Sequence, residues 1–187
     1  DITRESTEAR AERIESEREA KEMKAAIEFN DAVETFFAVG RISSGKYVGL
    51  TIDELANADM PYMRWLYKTL MNKAHKDSKD VATIRLIDAW SVENEFDSAF
   101  IGVVGEKIEV DLKFISTHGY ASLFVHGAMS YVHRFMDADR NEVTITSSAK
   151  AMMKLEHGKT YKIAATVKKH DYYSGINKTV LSRPKIM

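Results

Sequence analysis

The run Lys168-Lys169-His170-Asp171-Tyr172-Tyr173-Ser174-Gly175 sets paired cations a short step before paired aromatic rings. Lysine ammonium groups attract phosphate whatever the base sequence, and exposed tyrosine rings stack unpaired bases, so this pairing suits a single strand of DNA or RNA. The surroundings reinforce the charge: from Ser148 to Met187 nine Lys or Arg stand against two acids, a surplus of +7. Lys168, Lys169, Lys178 and Arg183 are the candidate phosphate contacts, and Tyr172, Tyr173 and Tyr120 the candidate stacking platforms. The competing reading is that the lysines only solvate strand edges and discourage edge pairing.

Catalytic and metal chemistry find less support. The chain has no cysteine, which excludes disulfides, thiolate nucleophiles and Cys-type zinc sites. His75, His118, His126, His133, His157 and His170 form no H-x-x-x-H or H-E-x-x-H pair. Asp137 and Asp139 lie two apart and could face Mg²⁺ from one side of a strand, but before Asn141 they read as turn formers. Gly45-Lys46 lacks the first glycine and the hydroxyl of a phosphate-binding loop, and no serine nucleophile motif occurs. The expectation is a non-enzymatic protein with no metal and no cofactor.

Charge divides the chain. Residues 1–40 carry −5, residues 41–105 carry −1 and residues 106–187 carry +5, for a net −1, which suggests an acidic arm joined to a basic binding module. No apolar run reaches the roughly 18–20 residues that span a bilayer, and the first residues are charged rather than signal-like. A soluble, cytoplasmic protein is expected, and a first residue of Asp rather than Met is what a processed or trimmed product would show.

These patterns must be positioned by helices first. Residues 4–38, free of Pro and Gly and dense in Ala, Glu, Arg and Lys, read as one helix. Its first half is solvated or available to a protein partner; from Met23 onward, Ala26, Ile27, Val33, Phe36 and Phe37 form a face able to bury. Gly40 ends it. Thr51 with Glu54 makes a capping box, and Pro61 opens a further helix whose apolar face holds Tyr62, Trp65, Leu66 and Leu70. Trp65 is accordingly expected to be a core anchor. A third helix is expected over Asp80–Ala89, with Val81, Ile84, Ile87 and Trp90 at helical spacing.

Strands follow. Lys107–Ser116 alternates, a Gly/Ser/His-rich loop covers about Thr117–Met129, and Ser130–Met136 and Glu142–Thr146 flank a turn at residues 137–141. A short helix spans Ser147–Leu155; then come strands Thr160–Lys168 and Lys178–Pro184, joined by a turn over Tyr172–Asn177. Tyr131, His133 and Phe135 share one strand face, which is core if it points inward and a stacking platform if it points outward; core is the preferred reading. Five strands with a helix between the third and fourth is the order of the oligonucleotide/oligosaccharide-binding (OB) barrel, whose second and third strands and loops 1-2 and 4-5 contact ligand. The expected fold is α+β in three parts: a charged helix (1–40), a small helical module (41–101) and an OB-like β-barrel with one short helix (102–187).

Two resemblances add to this. The run Gly45-Lys46-Tyr47-Val48-Gly49, a short amphipathic helix, then Asp59 and Tyr62-Met63-Arg64-Trp65-Leu66, resembles the small C-terminal accessory module of exodeoxyribonuclease X-like proteins over residues 43–70. Gly45, Lys46, Tyr47 and Gly49 are the matching turn residues; the catalytic domain that accompanies the module in those enzymes is not within these 187 residues. The phrase Asp137-Ala138-Asp139-Arg140-Asn141-Glu142-Val143, with the turn and strands after Gly158, resembles a phage-type OB-fold domain over residues 103–187. Together they imply an accessory role beside DNA-processing enzymes, in phage or mobile-element replication or recombination. The alternatives are a protein-interaction or assembly module with no nucleic-acid binding, and an accessory subunit of a nuclease.

Overall fold

The structure, a computed structural model, describes residues 7–122 and 126–187. Helices α1 (Thr7–Val39), α2 (Ile52–Asn72) and α3 (Ser78–Ser91) precede strands β1 (Lys107–Ala121), β2 (Met129–Met136), β3 (Glu142–Thr146), β4 (Thr160–Tyr173) and β5 (Ile176–Ile186). No helix among the described residues is long and apolar enough to cross a membrane.

Helix α1 is held only near its C-terminal end. Val33 is buried, and Arg85 on α3 pairs with Glu34 and lies 4.5 Å from the Phe37 ring centroid. Residues 8–31 are all exposed, including Met23 and Ile27, which the sequence pattern expected to bury. The reason is length: α3 has 14 residues against 33 in α1, too few to reach the earlier part of the stripe. The exposed part instead carries Arg13–Glu17, Arg18–Glu22 and Lys24–Glu28 pairs at i,i+4, each supporting helix by roughly 0.2–0.5 kcal/mol.

Helix α2 begins with the expected capping box, Thr51 accepting from Glu54 N and Glu54 accepting from Thr51 N. The two helices expected around Pro61 are one element with a break at Asp59 (φ −155°, ψ 70°). Asp59 caps the restart by accepting from Tyr62 N at 3.0 Å, and Pro61 sits in the new first turn, where a missing N–H costs nothing. Helix α3 opens with Asp77 and Asp80 in a second capping box, two residues before the expected start. Burial alone would push the Asp80 carboxyl up, but bonds from Lys73, Ser44 and Asp77 N together hold it below its usual range.

The strands close into a ring in the order β1-β2-β3-β5-β4. β1 pairs antiparallel with β4 through Lys113 and with β2 from there to Ala121, and a bulge between Phe114 and Ser116 bends the strand at the handover. The parallel pair β3–β5 and the antiparallel pair β4–β5 complete the circuit. Inside lie Leu112, Phe114, Phe135, Val143, Ile145, Ile163, Val167 and Leu181, with Met152 from a three-residue 3-10 turn, Met152–Lys154. That turn is all that forms of the helix expected over Ser147–Leu155.

Four strand limits also differ from expectation. β1 runs to Ala121 and β2 starts at Met129, so residues 117–121 and Met129 of the expected loop are paired backbone; residues 123–125 of it lie outside the described residues. This arm is exposed at its far end, where pairing needs no apolar alternation. β4 extends through Tyr173 and β5 begins at Ile176, leaving Ser174-Gly175 as the turn; both have positive φ (53° and 74°), the backbone a two-residue hairpin requires.

Helices and ring share buried contacts. Ile115 and Met136 point out of the ring into the helical core of Ile42, Leu55, Met60, Met63, Leu66, Leu70 and Ile87. The segment between α3 and β1 straps the two together: Ala99 N donates to Asn141, Ile101 N to Thr179, and Ser98 accepts from Glu142 N. At the centre, Arg64 of α2, 1% exposed, donates to the carbonyls of Phe96 (2.6 Å) and Arg140 (2.9 Å) and pairs with Glu142 at 3.5 Å. Replacing Arg64 by Ala leaves Glu142 buried with one cation fewer and should cost about 3–5 kcal/mol, read as a lower urea midpoint; a change within about 0.5 kcal/mol, the usual surface value, would show that the link is not structural.

Candidate functional site

One cleft gathers most of the features that could recognise a ligand. It has a volume of about 520 Å³, and one wall is a face of α2: Pro61, Tyr62, Trp65, Lys68, Thr69 and Asn72. The other comprises Arg134 of β2, Glu142 of β3, Tyr173 and Ser174 at the end of β4, and Ile176 and Lys178 of β5.

The G-K-Y-x-G turn positions the helical wall. Gly45 has φ +91°, and a Cβ there would stand 2.6 Å from the Tyr62 hydroxyl, so only glycine fits. Lys46 N donates to that hydroxyl at 2.6 Å, while Tyr47 OH donates to Asp59 at 3.1 Å, bracing the helix break. Gly49, at φ +95°, donates its N–H to Ile42 and accepts from Arg41. Burial pushes the Tyr47 phenol up, keeping it a neutral donor, and the bond from Lys46 Nζ to the same oxygen raises the lysine. Gly45, Lys46, Tyr47 and Gly49 thus shape the scaffold, and none lines the cleft.

The other wall is set by the β4–β5 hairpin. Tyr173, 69% exposed, lines it next to the Ser174-Gly175 turn, while Tyr172, 70% exposed, lies outside the cleft and lines a separate hollow with Lys68, Phe96 and Asn177. Lys178 Nζ lies 5.5 Å from the Tyr173 ring centroid and 3.6 Å from Glu142, which is itself buried between Lys178 and Arg64. Lys68 of α2 donates to the Ser174 carbonyl, tying helix to hairpin tip. The cleft therefore presents three cations, Lys68, Arg134 and Lys178, against one acid that is already paired.

The remaining expected site residues are dispersed. Lys168 is exposed on β4, and Lys169 beside it pairs with Asp171 at 3.0 Å. Arg183 lies five residues beyond Lys178 on β5, beside a separate hollow with Lys107, Glu109 and Lys185. Tyr120 stands opposite Ser130 on the β1–β2 arm and does not line the cleft. His133 and Phe135 are fully buried, so their face is the core face; His133 Nε2 donates to the Ser147 carbonyl and Nδ1 accepts from the Thr117 hydroxyl. Asp137 accepts from both the backbone and side-chain amides of Asn141, as a turn former does. Among the described residues no group of three or more His, Asp or Glu is placed to hold a metal.

Trp65 corrects the sequence reading most. Expected in the core, it is 54% exposed on the cleft wall, its ring centroid 5.3 Å from that of Tyr62. The helix has two working faces: Met60, Met63, Leu66 and Leu70 enter the core, while Pro61, Trp65, Lys68 and Asn72 follow one another at i, i+3, i+4 on the other. That mixed aromatic and polar stripe was visible in the sequence, as was Lys68 within it. Arg134 and Glu142 carried no such signal, because their place depends on strand pairing. No protein-family model matches the chain, and comparison with curated proteins finds no significant match.

Trp65→Ala should then cost well below the ~3–5 kcal/mol of a buried aromatic truncation, measured by urea denaturation. A loss of that full size would return Trp65 to the core.

Proposed function

We propose that this protein binds single-stranded nucleic acid, without catalysing a reaction on it, as an accessory factor in replication or recombination. The observation that carries the reading is the exposed Tyr173 ring, set by a two-residue hairpin in one cleft with Lys178, Lys68 and Arg134, while the equally exposed Tyr172 lines a neighbouring hollow that also holds Lys68. Rings supply stacking that tolerates any base, and cations supply backbone attraction. The ring order β1-β2-β3-β5-β4 supports an OB-like barrel, in which the 4-5 loop and the strand 2–3 face meet ligand; here the cleft is lined from β2, β3 and that same hairpin. Lys168, Lys169 and Arg183 lie outside the cleft and extend the positive surface along β4 and β5. The acidic, unpacked stretch of α1 is the surface through which a protein partner would be engaged.

Titration of an end-labelled oligodeoxythymidine at two salt concentrations tests this. Tyr172→Ala with Tyr173→Ala should weaken binding by about 1–3 kcal/mol per stacked base and leave the salt slope nearly unchanged. Lys68→Ala with Lys168→Ala should weaken binding and also flatten log K against log salt by about 0.7 for each phosphate no longer neutralised. Duplex of equal length should bind more weakly. A parent protein with no affinity for the strand even at low salt would leave the protein-interaction role in its place.

A further inference from the structure

Burying an aromatic side chain is among the larger gains available to a fold. Yet two walls of one cleft each leave a large ring exposed, Trp65 on α2 and Tyr173 at the end of β4, 54% and 69% accessible. Each has a neighbour that also lines the cleft. Trp65 lies against Tyr62, whose hydroxyl is held by Lys46 N, and Tyr173 lies beneath Lys178, whose ammonium is pinned by Glu142. The Lys68 bond to the Ser174 carbonyl bridges the two walls.

We propose that this cleft is a nucleotide-insertion site, in which one unpaired base of the bound strand enters between α2 and the β4–β5 hairpin and contacts Trp65 on one side and Tyr173 on the other. The inference rests on the single-strand reading and deepens it, because it makes the helical unit half of the binding site rather than a separate recruiting module. A cleft of about 520 Å³ is the size of a small-ligand pocket rather than of a long groove. Charge selects the occupant: Lys68, Arg134 and Lys178 at the rim match phosphates flanking an inserted base, whereas an apolar peptide would leave those cations unanswered. A paired base cannot enter, because the helical wall would meet its partner strand.

Tryptophan emission reports directly on the site, since the chain has two tryptophans and the other, Trp90, is 9% exposed with its indole N–H bonded to Asp53. Adding unlabelled oligodeoxythymidine should quench the emission of the parent, and Trp65→Phe should abolish the quench while retaining most of the affinity. By anisotropy with a labelled strand, Trp65→Ala should bind about 5- to 150-fold more weakly, the loss of one stacked base. Because both rings hold the same base, adding Tyr173→Ala should cost less than the product of the two single losses. Strand binding with no Trp65-dependent quench and unchanged affinity in Trp65→Ala would overturn the insertion site and leave the single-strand reading standing. Multiplicative losses in the double variant would place the rings against different bases and overturn the shared site. A parent that binds no strand removes both readings together.

Discussion

The buried guanidinium of Arg64 is the constraint on which the arrangement depends. Removing such a charge from water costs several kcal/mol, and burial pushes its pKa down while Glu142 opposes the shift. It is tolerated because acceptors from three places converge on it: the Phe96 carbonyl in the strap, the Arg140 carbonyl in the β2–β3 turn and Glu142 at the start of β3. Two of those groups are held in turn, Glu142 by Lys178 and Ser98, and Arg140 by Asn57. A helix anchored this way cannot slide over the ring without stranding a charge. The cleft walls are therefore already placed, which would lower the ordering cost of binding a ligand there.

What local chemistry determines was legible before any fold was known. The capping box at Thr51 and Glu54, the long charged helix and the alternation of Ile108, Val110, Leu112 and Phe114 each depend on neighbours in the chain. The misreadings share a different cause. His170-Asp171-Tyr172-Tyr173 looks like a loop because its residues break apolar alternation, yet Asp171 and Tyr172 find backbone partners in Lys178 and Asn177. Thr117-His118-Gly119-Tyr120 is likewise paired with β2 outside the core. Trp65 was placed with the core because one helical face was assumed where there are two. Only tertiary packing decides which of the two meets the ring.

The same packing sorts the candidate site. Tyr173 and Lys178 converge because a tight hairpin holds them together, whereas Tyr172 turns to a neighbouring hollow, Arg183 is carried five residues along β5 and Tyr120 out along another hairpin. Charge surplus in the last forty residues was a correct statement about composition, but strand geometry spreads it around the ring, and the cleft draws Lys68 and Arg134 from elsewhere in the chain. No residue of the acidic stretch of α1 lines the cleft.

Amide chemical-shift mapping with oligodeoxythymidine tests most directly that α2 and the hairpin form one binding surface. The expected result is a single cluster of shifts over Tyr62–Thr69, Tyr172–Lys178 and the Arg134–Glu142 edge, with α1 unaffected. Shifts confined to the ring, or centred on Lys107, Arg183 and Lys185, would contradict it.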